Sequence, residues 1–318
     1  MKKVAIIKDI HSSGIDILKK NSSFDFEIIK NFSKDNLIKK LPEFDAISVK
    51  TAKLDNEIID KCKKLKIISR HGVGYDNIDL KSVKSNNITL TITATANAVA
   101  VAEHVMFMIL NLSKGFDSYD KAVKGGNFLD RNKLKKSFEL WNKKILIVGF
   151  GRVGKTLIKR CLGFGMKAYI YDPFVDAKII KSFNAIKVDS FESALKEADY
   201  VSIHVPLNEK TKNLISLENM KIMKKNSIIV NTSRGGIVNE KDLNEALNKG
   251  FIYGAGLDVF EKEPPENNSD LLKNKKIILS PHTATFTEEC TARMGVETIE
   301  NIINFFENKL DNSMIVKL

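Results

Sequence analysis

The chain of 318 residues has little of several residue types that mark common protein classes. Its three cysteines, Cys62, Cys161 and Cys290, lie far apart with no CxxC or Cys/His ligand spacing. This pattern excludes a disulfide framework and a structural zinc site, so we predict reduced packing thiols and no metal. No basic-plus-apolar leader precedes VAIIK, and the most apolar stretch, AVAVAEHVMFMIL, is interrupted by Glu103 and His104. We therefore expect neither export nor a membrane span, but a cytoplasmic location.

Arginine is also scarce, because only six of the 51 basic residues are arginine. The net charge of +12 would suit a polyanionic partner, but the lysines are scattered and no basic block alternates with aromatic residues. Nucleic-acid binding is therefore not expected. In a chain that uses lysine for diffuse charge, the few arginines are expected where a planar, permanently charged fork is needed.

Short β-branched runs alternate with helix-like segments along the chain, first from VAIIK to ITLTI and again from KKILIVGFG to KIILSP. This βαβα rhythm predicts two α/β domains of the Rossmann-like or flavodoxin-like kind, each with a parallel sheet covered on both faces. Between the two series, the apolar-periodic segment from Asn97 predicts one long helix, and a polar, irregular crossover follows it. A helix of about twenty residues is predicted near the end of the chain.

The segment GFGRVG contains the glycine fingerprint of a dinucleotide site, formed by Gly149, Gly151, Arg152, Val153 and Gly154. It follows the apolar run ILIV and opens a helix-like segment, which is the context that the fingerprint requires. Glycines permit a tight turn and close backbone approach, and the helix N-terminus offers N–H groups to a pyrophosphate. The alternative is an ordinary glycine turn.

Asp172 ends the next apolar run, KAYIYD. A carboxylate at this point accepts hydrogen bonds from the ribose hydroxyls of an adenosine and repels a 2′-phosphate. We therefore predict NAD rather than NADP as the cofactor. The alternative is that Asp172 only caps the turn before Pro173.

Three polar groups follow successive apolar runs of the second series: Arg234 after SIIVNTS, Glu263 beyond GLDV, and His282 after KIIL. The carboxyl ends of strands in an open parallel sheet face the ligand crevice, so these side chains are expected to converge despite their separation in sequence.

The motifs RHGVGYDNID, GFGRVG, HVPLNEKT, NTSRGGIVNE, GLDVFEKEP and SPHTA resemble those of the D-isomer-specific 2-hydroxyacid dehydrogenases, and most closely the phosphoglycerate dehydrogenase branch. The resemblance covers nearly the whole chain, with the motifs in the family's order. It implies a substrate-binding domain of residues 1–96 plus 287–318, with an NAD-binding Rossmann domain of residues 97–286 inserted into it.

The resemblance also implies roles for individual residues. His282 would be the acid/base, Glu263 would orient its ring, and Arg234 would bind the substrate carboxylate and polarise the carbonyl oxygen. The alternatives are a capping histidine, a surface glutamate before Pro264, and a structural ion pair for the arginine. Further residues would line the cofactor cleft, with His204 as wall and not as catalyst: His204, Pro206, Thr211, Thr232 and Asp258.

The substrate is less well defined by the resemblance. Backbone groups at Val73 and Gly74, together with Asn97, would receive the substrate carboxylate. Three cations would receive a second anionic group, phosphate or sulfonate: Lys50, Arg70 and Arg131. Lys50 stands where this branch usually has arginine, and HTAT departs from the usual glycine-containing sequence, so glyoxylate/hydroxypyruvate reductase and a sulfolactate-type dehydrogenase remain alternatives.

Relatives of this family also act as NAD-sensing corepressors, which is an alternative from a different class of protein. The chain shows no extended tails or low-complexity segments that would suit such a role. A homodimer is expected because the whole segment over 98–141, helix included, has more apolar content than one subunit is expected to cover, and no appended regulatory domain is expected. His11, His71 and His104 show no partner pattern, so we interpret them as local structural or loop histidines.

Overall fold

The computed structural model describes residues 1–318 apart from the side chain of Asp130. The chain forms two compact units. Unit 1 comprises Met1–Asn97 and Phe286–Leu318, and unit 2 comprises Ala98–Thr285.

The first part of unit 1 is a five-stranded parallel sheet in the order β2-β1-β3-β4-β5. The interior strands are buried along nearly their whole length, as expected of a parallel sheet covered on both faces. The elements are β1 (Lys2–Ile7), α1 (Ser12–Lys20), β2 (Phe24–Ile29), α2 (Lys34–Lys40), β3 (Ala46–Val49), α3 (Asn56–Ile59), β4 (Ile67–Arg70), α4 (Leu80–Ser85) and β5 (Thr89–Ile92).

Unit 2 contains a seven-stranded parallel sheet in the order β12-β11-β10-β9-β6-β7-β8. The order reverses between β6 and β9, which makes this point the topological switch where doubly wound sheets bind ligands. The elements are α5 (Ala98–Lys114), α6 (Phe116–Lys124), β6 (Lys144–Val148), α7 (Arg152–Gly163), β7 (Lys167–Tyr171), α8 (Ala177–Ser182), β8 (Ile186–Lys187), α9 (Phe191–Glu197), β9 (Tyr200–Ile203), α10 (Leu217–Ile222), β10 (Ile228–Asn231), α11 (Glu240–Lys249), β11 (Gly254–Leu257) and β12 (Ile277–Leu279).

The last helix, α12 (Glu288–Phe306), returns the chain to unit 1 and packs on α1 and β4. The close approach of α1 and α12 depends on glycine, because a Cβ on Gly14 would lie 2.4 Å from the carbonyl oxygen of Gly295. Ile299 and Ile302 of α12 are fully buried against the sheet of unit 1. The predicted α/β fold class with two parallel sheets is confirmed.

The long helix predicted from Asn97 is wrong in one respect, because it is two helices. Gly115 between α5 and α6 has φ of 62°, which favours glycine, and the two helices are bent by 58°. Within the described part of the chain, no single helix is long and apolar enough to cross a membrane, and only this bent pair passes that test as a pair.

Two other elements differ from the sequence expectation. The sequence did not indicate β8, which has two residues, one of them exposed. A parallel sheet covered on both faces predicts buried strands, but β12, before His282, is an edge strand in which Ile277 is buried and Leu279 is exposed.

The three cysteines are free and buried, as predicted. Burial raises the pKa of the Cys62 thiol to about 11 and that of Cys161 to about 12, so these thiols stay protonated and inert at ordinary pH.

Candidate active site

Six of the seven strands of unit 2, all except β8, end at one level of the sheet. The last residues of these strands pair with one another and form one row across the sheet: Tyr171, Val148, Ile203, Asn231, Leu257 and Leu279. The residue after each strand therefore lies beside its neighbour in a second row, at the carboxyl edge: Asp172, Gly149, His204, Thr232, Asp258 and Ser280. Five of these six are residues that the sequence assigned to the cofactor cleft, and we call the set the edge row.

The glycine loop lies at the switch point of this edge. Gly149 has φ of 93°, and a Cβ there would lie 2.7 Å from the carbonyl oxygen of His204. A Cβ on Gly154 would lie 2.5 Å from the carbonyl oxygen of Gly149, whereas one on Gly151 would meet nothing within 4 Å. The first and third glycines are thus needed for packing, and the second leaves open space at the N-terminus of α7, where Arg152 and Val153 begin the helix. This space fits a pyrophosphate.

The Asp172 carboxylate caps two backbone segments beside the glycine loop. One oxygen accepts the N–H of Phe150 at 2.8 Å, and the other accepts the N–H of Phe174 at 2.9 Å. Each carboxylate oxygen has a second lone pair, so these bonds leave acceptor capacity for the ribose hydroxyls. The capping role that the sequence left as an alternative is present, and it is compatible with ribose binding.

His282 and Glu263 form a hydrogen-bonded pair at the end of the sheet. His282 Nδ1 lies 2.8 Å from Glu263 Oε2, and both side chains are partly exposed, at 49% and 40%. Desolvation raises the pKa of Glu263, but the hydrogen bond from His282 and the charges of His282 and Arg234 outweigh it, so the pKa lies below its usual value. The pairing uses Nδ1 and leaves Nε2 as the nitrogen that can exchange a proton with a substrate.

The loops that carry Arg234 and Glu263 are packed backbone to backbone. A Cβ on Gly235 would lie 1.8 Å from the carbonyl oxygen of Phe260, so only glycine permits this contact. The Asn231 side chain donates to the carbonyl oxygen of Arg234 at 2.8 Å, and the N–H of Phe260 donates to Glu263 Oε1 at 3.2 Å. The structure thus brings the three predicted catalytic residues to one end of the edge row.

The other predicted cofactor residues lie along the same edge. Thr232 is buried, and among the described residues its Oγ1 has no hydrogen-bond partner, which leaves a polar atom suited to a ligand. Burial lowers the pKa of His204 to about 3, so this ring is neutral, and its Nε2 lies 2.8 Å from Ser202 Oγ. Thr211 donates to the carbonyl oxygen of Pro206 at 2.6 Å, which closes the loop after β9.

Asp258 is fully buried, and its carboxylate binds the segment that carries His282. It accepts hydrogen bonds from the backbone of Thr283 and Ala284 and from the hydroxyl of Ser280. These bonds fix the segment 280–284 and are additional to the nicotinamide contact predicted for Asp258.

Most of the predicted substrate residues belong to unit 1. Lys50 follows β3 and Arg70 ends β4, on adjacent strands. The Arg70 guanidinium donates to the carbonyl oxygen of His71. Val73 and Gly74 lie in the loop after β4. Two more predicted residues stand apart: Asn97 is the last residue of the first segment of unit 1, whereas Arg131 belongs to a short 3₁₀ turn of unit 2.

Three histidines have partners that the sequence did not indicate. His11 caps α1 and its Nε2 lies 2.9 Å from Glu288, and His71 is buried with Nδ1 3.1 Å from Thr298 Oγ1. His104 Nε2 lies 2.8 Å from Ser280 Oγ, across 176 positions of sequence. No local pattern signals such contacts, because the partners meet only in the folded chain.

The comparisons with known proteins are consistent with this geometry. Residues 106–284 match the family model of the D-isomer specific 2-hydroxyacid dehydrogenase, NAD binding domain. The D-3-phosphoglycerate dehydrogenase of Methanocaldococcus jannaschii is 34% identical over 99% of the chain, which spans 59% of that protein. The glyoxylate reductase of Thermococcus litoralis is 35% identical, with 99% of the chain and 97% of that protein covered. The chain thus spans about three fifths of the phosphoglycerate dehydrogenase relatives.

Among solved structures, the D-lactate dehydrogenase of Aquifex aeolicus, described as complexed with NAD and lactic acid, superimposes with a TM-score of 0.85. It is 28% identical, and 98% of each chain is covered.

Proposed function

Because the chain belongs to the family of D-isomer-specific 2-hydroxyacid dehydrogenases, we propose that it is an NAD-dependent oxidoreductase that interconverts a 2-keto acid and a D-2-hydroxy acid. The observation that carries this proposal is the edge row of unit 2, which ends at the hydrogen-bonded pair of His282 and Glu263 with Arg234 beside it. This is the arrangement that proton transfer to a carbonyl oxygen requires.

The roles of the side chains follow from their chemistry. Bound NADH supplies the hydride that reduces C2 of the keto acid. His282 then supplies the proton to the carbonyl oxygen from Nε2, while Glu263 stabilises the charged ring and holds its orientation. The Arg234 guanidinium binds the carboxylate of the substrate and polarises its carbonyl oxygen. Oxidation of the hydroxy acid reverses each transfer.

NAD rather than NADP fits the groups at the cofactor edge. The open space at Gly151 receives the pyrophosphate, and the Asp172 carboxylate faces the adenosine ribose, where its charge repels a 2′-phosphate. Thr232, His204 and Asp258 complete the cleft toward the reacting end.

We propose a phosphoglycerate dehydrogenase-like specificity for a substrate with two anionic groups. Lys50 and Arg70 come from adjacent strand ends of unit 1, and both lie close enough to His71 for their charges to lower its pKa. Positive charge concentrated at one edge suits a phosphate or sulfonate. Arg131 is proposed as a third cation. Glyoxylate and hydroxypyruvate are the alternative substrates.

A steady-state panel tests the function directly. NADH oxidation is measured with phosphohydroxypyruvate, 3-sulfopyruvate, hydroxypyruvate and glyoxylate, and again with NADPH in place of NADH. We expect turnover with NADH and the highest kcat/KM for a substrate with two anionic groups. Tight binding of NADH with no oxidation on any keto acid would overturn the enzyme reading and favour a sensor of the corepressor kind.

We also propose a homodimer formed through the α5–α6 face of unit 2. A groove of about 630 Å³ on this face is lined mainly by apolar side chains, and Phe107 and Phe116 are 57% and 63% exposed. Trp141, which packs against Gly165 beside Phe164 of the groove, is 71% exposed. A contiguous apolar surface of this kind is rare on a monomer.

Light scattering tests the dimer. We expect twice the 35.7 kDa of one chain, and we expect Phe107→Glu to give the single-chain mass with intact helical content. A wild-type protein with the single-chain mass at all concentrations would contradict the dimer. We propose a cytoplasmic location, because the reaction draws on the NAD(H) pool.

A further inference from the structure

The turn that carries His282 has an unusual backbone. His282 has φ of 54°, in the left-handed region that side chains other than glycine rarely adopt. Such a conformation persists only where surrounding contacts impose it, and it is found disproportionately at functional sites. The contacts that impose it here determine where the imidazole points.

Three consecutive backbone N–H groups of this turn bind one residue, Asp258. His282 donates to the carbonyl oxygen of Asp258 at 2.8 Å, Thr283 to Oδ1 at 2.8 Å, and Ala284 to Oδ2 at 2.9 Å. The side chain of Asp258 is fully buried, so its charge depends on these donors for stabilisation. The left-handed turn and the buried carboxylate therefore require each other.

A second chain of contacts ties this carboxylate to α5. The Ser280 hydroxyl donates to Asp258 Oδ1 at 2.6 Å, and His104 Nε2 lies 2.8 Å from Ser280 Oγ. Because the hydroxyl proton is used on Asp258, Ser280 Oγ accepts from His104, which places a proton on His104 Nε2. His104 Nε2 is also 3.8 Å from Asp258 Oδ1. The helix α5 packs on β10 and β11, so the packing of this helix fixes the position of His104.

We propose that His104 and Ser280 are positioning residues that act through Asp258 to hold the His282 ring against Glu263. This inference rests on the proposed function of His282 as the acid/base. His104 and Ser280 touch no reacting atom in this scheme; they fix the turn on which the reacting ring stands. A misplacement of a catalytic group by about 1 Å costs up to ~10²-fold in rate, so a partial loosening of the turn is sufficient to be measured.

The variants Ser280→Ala and His104→Phe remove the two links one at a time. We expect each to lower kcat about tenfold, a partial share of the ~10²-fold cost of a full displacement. The Kd for NADH should change less than kcat, since the glycine loop and Asp172 are untouched. His104→Gln keeps an N–H donor and should restore most of kcat. His11→Gln, which changes a histidine of unit 1 outside the site, serves as the matched control.

The double variant separates a shared role from two independent ones. If His104 acts only through Ser280, the pair His104→Phe with Ser280→Ala lowers kcat no more than the more severe single variant. If instead kcat of the double variant falls by the product of the two single-variant factors, the proposed chain of contacts is overturned.

A readout independent of turnover is the NMR spectrum of the five histidines in ¹³Cε1-labelled protein without cofactor, recorded at one fixed pH. The His282 signal is identified by its loss in His282→Ala. The charged groups around this ring in unit 2 are Glu263, Arg234 and Asp258. We expect its ¹³Cε1 chemical shift to change in Ser280→Ala, in the same direction as in Glu263→Gln, because the ring no longer contacts its carboxylate.

The outcomes distinguish the two proposals. If wild-type protein fails to oxidise NADH with any of the keto acids, the proposed function fails, whereas a changed His282 ¹³Cε1 shift in Ser280→Ala still supports the positioning role. If wild-type protein is active but both variants keep wild-type kcat and the wild-type His282 ¹³Cε1 shift, the positioning role is overturned, and a lowered Tm alone would mean that these contacts only stabilise the fold.

Discussion

Two strands of this protein share the sequence Lys-Ile-Ile at their start and lead to a histidine, yet the two histidines have opposite environments. In unit 1, Lys-Ile-Ile opens KIISRH at β4, which lies between β3 and β5. In unit 2, Lys-Ile-Ile opens KIILSPH at β12, which is the edge strand of its sheet. His71 after β4 is 3% exposed, whereas the side chain of His282 after β12 is 49% exposed.

The difference comes from what covers each strand end. Thr298 of α12 lies against His71, and desolvation, with the charges of Lys50 and Arg70, lowers its pKa to about 3. His71 is therefore neutral at ordinary pH. His282 instead faces a carboxylate, Glu263, and its side chain stays about half exposed. A histidine at a strand end thus indicates acid–base chemistry only where the fold leaves the ring accessible and gives it a carboxylate partner.

The largest effect is expected when His282, the accessible histidine, loses its carboxylate partner, Glu263. We expect Glu263→Gln to lower kcat roughly 10²-fold, because a neutral amide does not stabilise the charged ring of His282. Steady-state kinetics with saturating NADH gives the value. Glu266→Gln, which changes an exposed carboxylate three residues later, should leave kcat within twofold, and equal effects of the two variants would show that Glu263 has no special role.

The buried histidine predicts a pH dependence of stability and not of turnover. The pKa of His71 is lower in the folded chain, about 3, than its ordinary value of 6.5, so the unfolded chain binds the extra proton between these values. The contribution of His71 to the free energy of unfolding is complete above pH 6.5. It declines by about 1.4 kcal/mol per pH unit as the pH falls toward 3.

Urea unfolding of wild type and His71→Gln at pH 7 and pH 5 measures this slope. Between pH 7 and pH 5 we expect the free energy of unfolding of the wild type to fall by about 2 kcal/mol more than that of the variant. His204 has the same direction of shift in both proteins and cancels in the difference. Identical losses in the two proteins would mean that His71 is protonated without cost.

At the cofactor end of the edge row, the charge of Asp172 can be removed with a side chain of the same size. Asp172→Asn keeps one oxygen acceptor, enough for the N–H of either Phe150 or Phe174, and removes the charge that opposes a 2′-phosphate. We expect the ratio of kcat/KM with NADH to that with NADPH to fall about tenfold, equivalent to ~1.4 kcal/mol. An unaltered ratio would show that the carboxylate does not face the ribose.

At Arg70, beside His71 in unit 1, we predict that a substitution changes the KM for the substrate and has little effect on kcat. Arg70→Lys keeps the charge but loses the planar fork, so the KM for phosphohydroxypyruvate should rise about fivefold, with kcat and the KM for glyoxylate nearly unchanged. Lys63→Arg, on the exposed surface of unit 1, is the control. An equal rise of KM for both substrates would argue against an anion pocket at Arg70.

The sequence predicted the parts of this molecule whose signals are local. The alternation of apolar runs indicated the two parallel sheets, and the glycine spacing indicated the loop at the switch point. The break at Gly115 was missed, because one glycine inside an apolar-periodic segment is a weak signal whose effect depends on a φ of 62°. The strand β8 was missed because two residues carry no periodicity.

The parts that could not be predicted depend on register and long-range contact. The edge row exists because six strands end at one level, and no single strand contains that information. Likewise, His104 was interpreted as a local structural residue, and its contact with Ser280 arises only when α5 packs on the sheet. The catalytic roles of Arg234, Glu263 and His282 remain predictions from chemistry and geometry.

The most direct test is single-turnover oxidation of bound NADH by a 2-keto acid in wild type and His282→Ala. We expect the variant to bind NADH with wild-type affinity and to react about 10²–10⁴-fold more slowly, because no other group in the pair donates the proton. A His282→Ala protein that reacts at the wild-type rate would contradict the assignment of this imidazole as the acid/base.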